Sequence, residues 1–332
     1  MTHRMWLFAL SFLLPATLQA GDPPAQPRQD TVLRGDAECT FCHDEEDSTS
    51  LMFIGRTKHG TRADQRTPTC TSCHGPSQAH MKDKQAGSDK RPKPDITHGR
   101  RAPAIRPDAL IDKEFGNFKG TASPAAKINQ ACLACHQGEK LMFWSGSAHA
   151  GRDVACSNCH EIHTTQDRAL DKRNQPNVCF GCHKSQRSLF NRPSHHPVPE
   201  GKMSCSNCHN PHGSAGHKSL RWDTVNETCY QCHMEKRGPF LHSHPPVSEN
   251  CLNCHNPHGT MVPGLLNARP PYLCQSCHSD ASHRGQVGGL PGTRSVNAAI
   301  IGSLARGCLK CHINIHGGNS SENATSAGRF RR

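Results

Sequence analysis

The sequence predicts a chain of loops and short α-helices, with little or no sheet, arranged around a linear series of repeated sites. Three observations predict it. A five-residue unit, Cys-x-x-Cys-His, occurs ten times and uses all 20 cysteines. From Cys132 to Cys274 the units recur every 22 to 26 residues. Apolar residues make up 34% of the chain, and only about 28% once cysteine is set aside. A globular core of ordinary side chains is not available to such a chain.

Each unit has the chemistry of a covalent c-type haem site. Two thiols add to the haem vinyl groups, and the next histidine lies under the iron as proximal ligand. The cysteine pairs are Cys39 and Cys42, Cys70 and Cys73, Cys132 and Cys135, Cys156 and Cys159, Cys179 and Cys182, Cys205 and Cys208, Cys229 and Cys232, Cys251 and Cys254, Cys274 and Cys277, and Cys308 and Cys311. The proximal histidines are His43, His74, His136, His160, His183, His209, His233, His255, His278 and His312. Zinc knuckles would not need a histidine after every second cysteine. Thioredoxin-like pairs would need a βαβ context that is absent. The expected class is therefore a multihaem cytochrome c with ten covalently bound haem c groups.

The composition agrees. Gly and Pro total 52 residues, and the chain has two Tyr and three Trp. It cannot bury enough of its own apolar surface to offset chain entropy. The haems must serve as the core, and the haem-free chain should be unfolded. The formal charge of +12 suggests nucleic acid only until the haems are counted. Each bis-histidine ferric haem with two propionates carries one net negative charge. Ten of them bring the mature chain to about +1, so most basic residues read as propionate counter-charges and no nucleic-acid partner is expected. The run Lys82, Lys84, Lys90, Arg91, Lys93, Arg100, Arg101 and Arg106 is either a solvated loop or a docking surface.

Residues 1–20 read as a cleaved secretory signal: Arg4, an apolar stretch from Met5 to Leu14, the breaker Pro15, and a cut after Ala20. The apolar stretch is too short to span a membrane. A flexible segment follows at 21–35. The haem domain runs over 36–318, with approximate five-haem halves at 36–190 and 191–318 and a low-complexity insert at 82–127. Residues 319–332 form a flexible tail. The repeat is visible as "HPVPEGKMSCSNCHNPHGS" at 196–214 and "HPPVSENCLNCHNPHGT" at 244–260. Short helices are expected just after several motifs.

Twenty-five histidines include His3 in the signal and the ten proximal ones, which leaves fourteen for ten distal positions. His163, His212 and His258 follow their proximal histidine by three residues, and His316 follows His312 by four. A residue so close must ligate a different haem, which would stitch neighbours together. His59, His149, His196 and His244 precede the next motif, and His80 and His283 follow theirs. These ten are the expected distal ligands, which makes every iron six-coordinate. His98, His195, His217 and His242 remain outside the set, with His195 and His242 as possible replacements for their neighbours.

The ten motifs, the paired "CHNPHG" units, "CYQCHMEKRGPF" at 229–240, "HPPVSENC" at 244–251 and "CLKCHINIHGG" at 308–318 resemble the MtrA/DmsE family of decahaem cytochromes, which includes MtoA- and PioA-like proteins. The resemblance spans roughly residues 36–318 and is weaker around 82–127. It implies a periplasmic haem wire inserted in an outer-membrane β-barrel of the MtrB type. Its other partners would be periplasmic or inner-membrane c-type cytochromes, with an outer-surface multihaem cytochrome in many systems. All ten distal positions match family positions.

Three functions suit such a chain. A conduit would pass electrons between the periplasm and extracellular donors or acceptors such as Fe(II)/Fe(III). A periplasmic shuttle would serve a soluble reductase without a barrel. A multihaem enzyme would need an open iron, and the surplus of histidine argues against one. The expected role is electron transfer with no catalytic residues, and the expected location is periplasmic, tied to the outer membrane through the barrel.

Overall fold

The computed structural model describes residues 36–46, 48–61, 66–82, 91–99, 122–278, 308–310 and 312–319. The expected signal peptide, the flexible segment, most of the 82–127 insert, nearly all of the tail, Cys311 and His283 lie outside the described residues. Tertiary contacts divide the chain into Met1–Thr31 and Val32–Arg332, and the described residues all belong to the second unit.

Loops and short helices dominate, as the composition requires. The longest described helix is Ala125–Leu133, with nine residues. Among the described residues there is no extended strand. Isolated antiparallel bridges occur instead, such as His209 with Leu220 and His255 with Leu266. His209 and His255 sit in equivalent places of the 196–214 and 244–260 repeats, and their bridge partners follow each repeat. No described helix is long and apolar enough to cross a membrane.

The helices mark the motifs in a regular way. The first, third, fifth, seventh and ninth motifs begin inside the helices Ala37–Thr40, Ala125–Leu133, Gln175–Phe180, Val225–Tyr230 and Tyr272–Gln275. Four of the even-numbered motifs start instead on a 3₁₀ turn: Cys156–Asn158, Cys205–Asn207, Cys251–Asn253 and Cys308–Lys310. The second is the exception, an α-turn over Cys70–His74. Helices do follow some motifs, as at Gln78–Lys82 and Lys184–Phe190. The more regular arrangement is a helix that runs into the odd motif. Its start is set upstream, where Thr224 and Glu227 form a capping box that opens Val225–Tyr230.

Apolar packing is thin. Seven hydrophobic residues are buried among the described ones. They include two small clusters, Ala125, Ile128 and Ala155, and Phe180, Phe190 and Val198. At about 25 cal/mol per Å² of apolar area, clusters of three side chains cannot hold a domain of this length. The apolar area of bound cofactors must supply the rest.

Candidate functional site: paired imidazoles between motif pairs

Each motif is one helical turn. The amide of His160 donates to Cys156 O at 2.9 Å, and the same bond closes the turn in the other motifs, as at His209 to Cys205 and His255 to Cys251. Positions i and i+4 share a helix face. The first cysteine and the histidine therefore point to one side, where a single porphyrin can meet both.

The motifs associate in twos. The first cysteines of successive motifs come together: Cys132 with Cys156, Cys39 with Cys70, Cys179 with Cys205, Cys229 with Cys251 and Cys274 with Cys308. In a matured chain these sulfurs would be thioethers. A buried side chain pins three of these junctions. Asn129 Oδ1 accepts from Cys156 N at 2.8 Å, and Asn226 Oδ1 accepts from Cys251 N at 2.8 Å. Asp36 does the same for Cys70 N at 2.7 Å. A fourth junction uses Gln175, whose Oε1 accepts from Ser206 N at 2.9 Å. Asp36, Asn129 and Asn226 each stand three residues before the first cysteine of an odd motif. That regularity is visible in the sequence, but it has no meaning until the next motif is seen to bond to it.

Nine of the ten expected distal histidines stand across from a proximal histidine. The pairs are His80 with His43, His59 with His136, His163 with His74, His149 with His183, His212 with His160, His196 with His233, His258 with His209, His244 with His278, and His316 with His255. Their ring centroids lie 5.8 to 6.3 Å apart. Two metal–imidazole bonds of about 2 Å each, plus the ring radii, span about 6 Å. The gap fits one iron and the thickness of one porphyrin. The tenth expected distal residue, His283, lies outside the described residues.

The pairing follows a rule. A histidine between the two motifs of one pair faces the first proximal histidine of the next pair, as His149 faces His183. A histidine after the second motif of a pair faces the second proximal histidine of the previous pair, as His212 faces His160. Each such gap is therefore closed by two adjacent motif pairs. His80 departs from the rule, since it faces His43 within the first pair.

The "NPHG" unit carries out this docking. Asn210 Oδ1 accepts from His212 N at 3.2 Å, and Asn256 Oδ1 from His258 N at 3.1 Å. The proline carbonyls accept from the other distal histidine nearby: His149 Nδ1 donates to Pro211 O at 2.6 Å, and His196 Nδ1 to Pro257 O at 2.8 Å. The glycine permits close approach. A Cβ on Gly259 (φ +147°) would lie 2.1 Å from Leu189 O, and one on Gly213 (φ +103°) would lie 2.6 Å from Phe143 O.

Other Nδ1 atoms are tied in the same way. His74 donates to Ile96 O at 2.9 Å, His80 to Pro92 O at 2.7 Å, and His163 to Leu51 O at 2.7 Å. With Nδ1 holding the proton, Nε2 is left with its lone pair for a metal. Burial holds the pKa of His74, His183, His212 and His258 below the ordinary histidine value, with nearby imidazoles adding to it at His183, His212 and His258. At His74 the bond to Ile96 O works against burial and does not outweigh it. Neutral imidazole is the ligating form.

The histidines outside the expected set take other roles. His98 Nε2 bonds Cys73 O at 2.8 Å and its ring meets His74 edge-on. His195 bonds Arg192 O and Glu200, 3.0 Å from the carboxylate, while its neighbour His196 faces His233. His217 opens a short 3₁₀ turn, and the backbone of His242 bridges to Gly318.

Comparison with known proteins agrees with this geometry. A doubled CXXCH motif model matches residues 195–238 and 244–283, each of which holds the second motif of one pair and the first motif of the next. A model of NrfB-like cytochrome c-type proteins matches residues 97–173. The cytochrome c-type protein NrfB of Haemophilus influenzae is 30% identical over 181 residues, 49% of this chain and 70% of that protein. The multiheme cytochrome MtrA of Shewanella baltica is 38% identical over 294 residues, 86% of this chain and 79% of that protein. The repeated motifs, the imidazole pairs and the extent of this match agree: the chain belongs to the MtrA-like multihaem c-type cytochromes, electron-transfer proteins that bind several haems covalently through CXXCH motifs.

Proposed function

We propose that the chain carries ten haem c groups and acts as an outer-membrane conduit, passing electrons between periplasmic carriers and extracellular donors or acceptors such as Fe(II)/Fe(III). The observation that carries this reading is the succession of nine imidazole pairs among the described residues, eight of which link one motif pair to the next. When bound, each haem supplies a one-electron ferric/ferrous site. The protein's part is to space, ligate and insulate these sites.

The twenty cysteines anchor the haems, and the ten proximal histidines hold one face of each iron. The facing histidines of the nine pairs hold the other, and His283 is the tenth expected distal ligand. Two imidazoles on every iron leave no position for a substrate, so the role is transfer without catalysis. Ligands drawn from adjacent motif pairs fix neighbouring haems relative to one another. A mature protein of this kind is periplasmic.

Membership of the MtrA-like family supports a barrel partner of the MtrB type. A closed barrel is one of the few structures that can cross a hydrocarbon layer about 30 Å thick. Periplasmic or inner-membrane cytochromes would meet one end of the array, and an outer-surface multihaem cytochrome or a soluble iron species the other.

Proteoliposomes test this. Vesicles holding the barrel and the cytochrome should pass electrons between an enclosed dye and external iron, and vesicles with the cytochrome alone should not, because its polar surface cannot enter lipid. A cytochrome that copurifies with no barrel and moves freely in the periplasmic fraction would be a shuttle instead.

A further inference from the structure

In the second motif of the first four pairs, the proximal histidine donates a hydrogen bond from Nδ1 to a nearby loop. For three of them the acceptor is a backbone carbonyl: Ile96 for His74 at 2.9 Å, Lys218 for His209 at 3.0 Å, and Gly264 for His255 at 2.8 Å. His160 occupies the same place and meets a carboxylate. Its Nδ1 lies 2.6 Å from Asp167 Oδ2.

The carboxylate is well held and poorly hydrated. The Asp167 side chain is 13% exposed, and its Oδ1 accepts from Ala169 N at 3.0 Å. Arg168, next in the chain, directs its guanidinium to Glu161 at 2.6 Å. By contrast, Glu235 approaches His233 Nδ1 only to 3.8 Å, and both side chains are more than half exposed, where water screens the charge.

We propose that Asp167 is a positioning residue that lowers the reduction potential of the haem held by Cys156, Cys159, His160 and His212. A charged acceptor at Nδ1 draws the proton more strongly than a carbonyl does. The ring becomes a stronger donor at Nε2, which favours ferric iron. The fixed negative charge favours the ferric state as well, since reduction removes a positive charge it was stabilising. One electron from an electrode reduces this iron, while the Nδ1 proton stays on His160 and Asp167 stays ionised. This haem is therefore harder to reduce than its counterparts at Cys70, Cys205 and Cys251. It places an uphill step in the array between the third and fifth motifs, so a partly reduced chain holds its electrons on either side of it.

The proposal rests on the His160–His212 pairing, and spectroelectrochemistry of the fully haem-loaded protein tests the two separately. Asp167→Asn keeps the shape and an acceptor for His160 but removes the charge. One low-potential component should rise enough to change its ferric-to-ferrous ratio about tenfold at the wild-type midpoint, about 59 mV for one electron. Asp167→Glu should restore most of that shift, and all haems should stay covalently bound in both. His212→Met should raise the same component. A potentiometric curve for Asp167→Asn that overlays the wild type would overturn the tuning role, as would movement of a different component from that moved by His212→Met. No movement in His212→Met would instead overturn the pairing beneath it.

Discussion

An imidazole has two nitrogens, and a metal can use one only if the proton sits on the other. Several axial candidates meet that condition through backbone carbonyls, as at His149 with Pro211 and His196 with Pro257. His258 shows what a single residue contributes. It follows His255 by three residues yet faces His209, with ring centroids 6.2 Å apart. His258→Met should keep every haem attached, since the cysteines are untouched. It should raise the potential of the haem at Cys205 and Cys208, because a thioether favours ferrous iron relative to imidazole. Electron paramagnetic resonance of the oxidised wild type should show low-spin ferric signals alone. A substantial signal near a g value of about 6 would mean an iron without its second imidazole.

The working element is the motif pair, and its joint is an amide side chain. Asn226 is buried, accepts from Cys251 N at 2.8 Å, and donates to Val247 O at 2.9 Å and Ser248 O at 3.0 Å. It thus ties the turn of one motif to the helix Val225–Tyr230 of the other. Asn226→Ala strands one amide and two carbonyls, a cost of about 1–3 kcal/mol for buried groups left without partners. The denaturation midpoint of the haem-loaded protein should fall accordingly, with the haem count by mass spectrometry unchanged. Asn226→Asp should cost less at the Cys251 amide, since Asp36 fills the equivalent place beside Cys70. An unaltered midpoint in Asn226→Ala would show that the haems alone hold the pair together. The "NPHG" units act at the same scale, where one proline carbonyl, one histidine and one glycine dock a motif pair onto its neighbour.

At the scale of the whole molecule, apolar packing among the described residues is thin. Among the described residues, Ile128 and Asp36 are the largest side chains with essentially no exposure, and the aromatic cluster around Phe180 is small. Expressed without haem maturation, the chain should lack a cooperative thermal transition and be cut readily by protease. A sharp transition in the haem-free chain would show a core that the side chains described here do not form. The same dependence explains the low apolar content: surface that a globular protein devotes to packing against itself is here given to porphyrin faces.

The covalent haem cofactor was legible in the sequence, because its motif lies within five consecutive residues and one helical turn. The absence of sheet among the described residues and the thin core were legible in composition. The distal residues could be chosen by position and number, but their partners could not. His74 and His163 are 89 residues apart, and His59 and His136 are 77 apart. A repeat shows which residues are equivalent and says nothing of which copy docks on which. That choice was made by tertiary contacts: an asparagine reaching the next motif, a proline carbonyl taking a proton, a glycine clearing a neighbour's backbone. Asp167 illustrates the same limit. It stands seven residues after His160, where the copies at His209 and His255 use carbonyls nine residues on. Only the folded loop brings that charge to the ring, because loop closure, and not sequence spacing, sets which atom faces Nδ1.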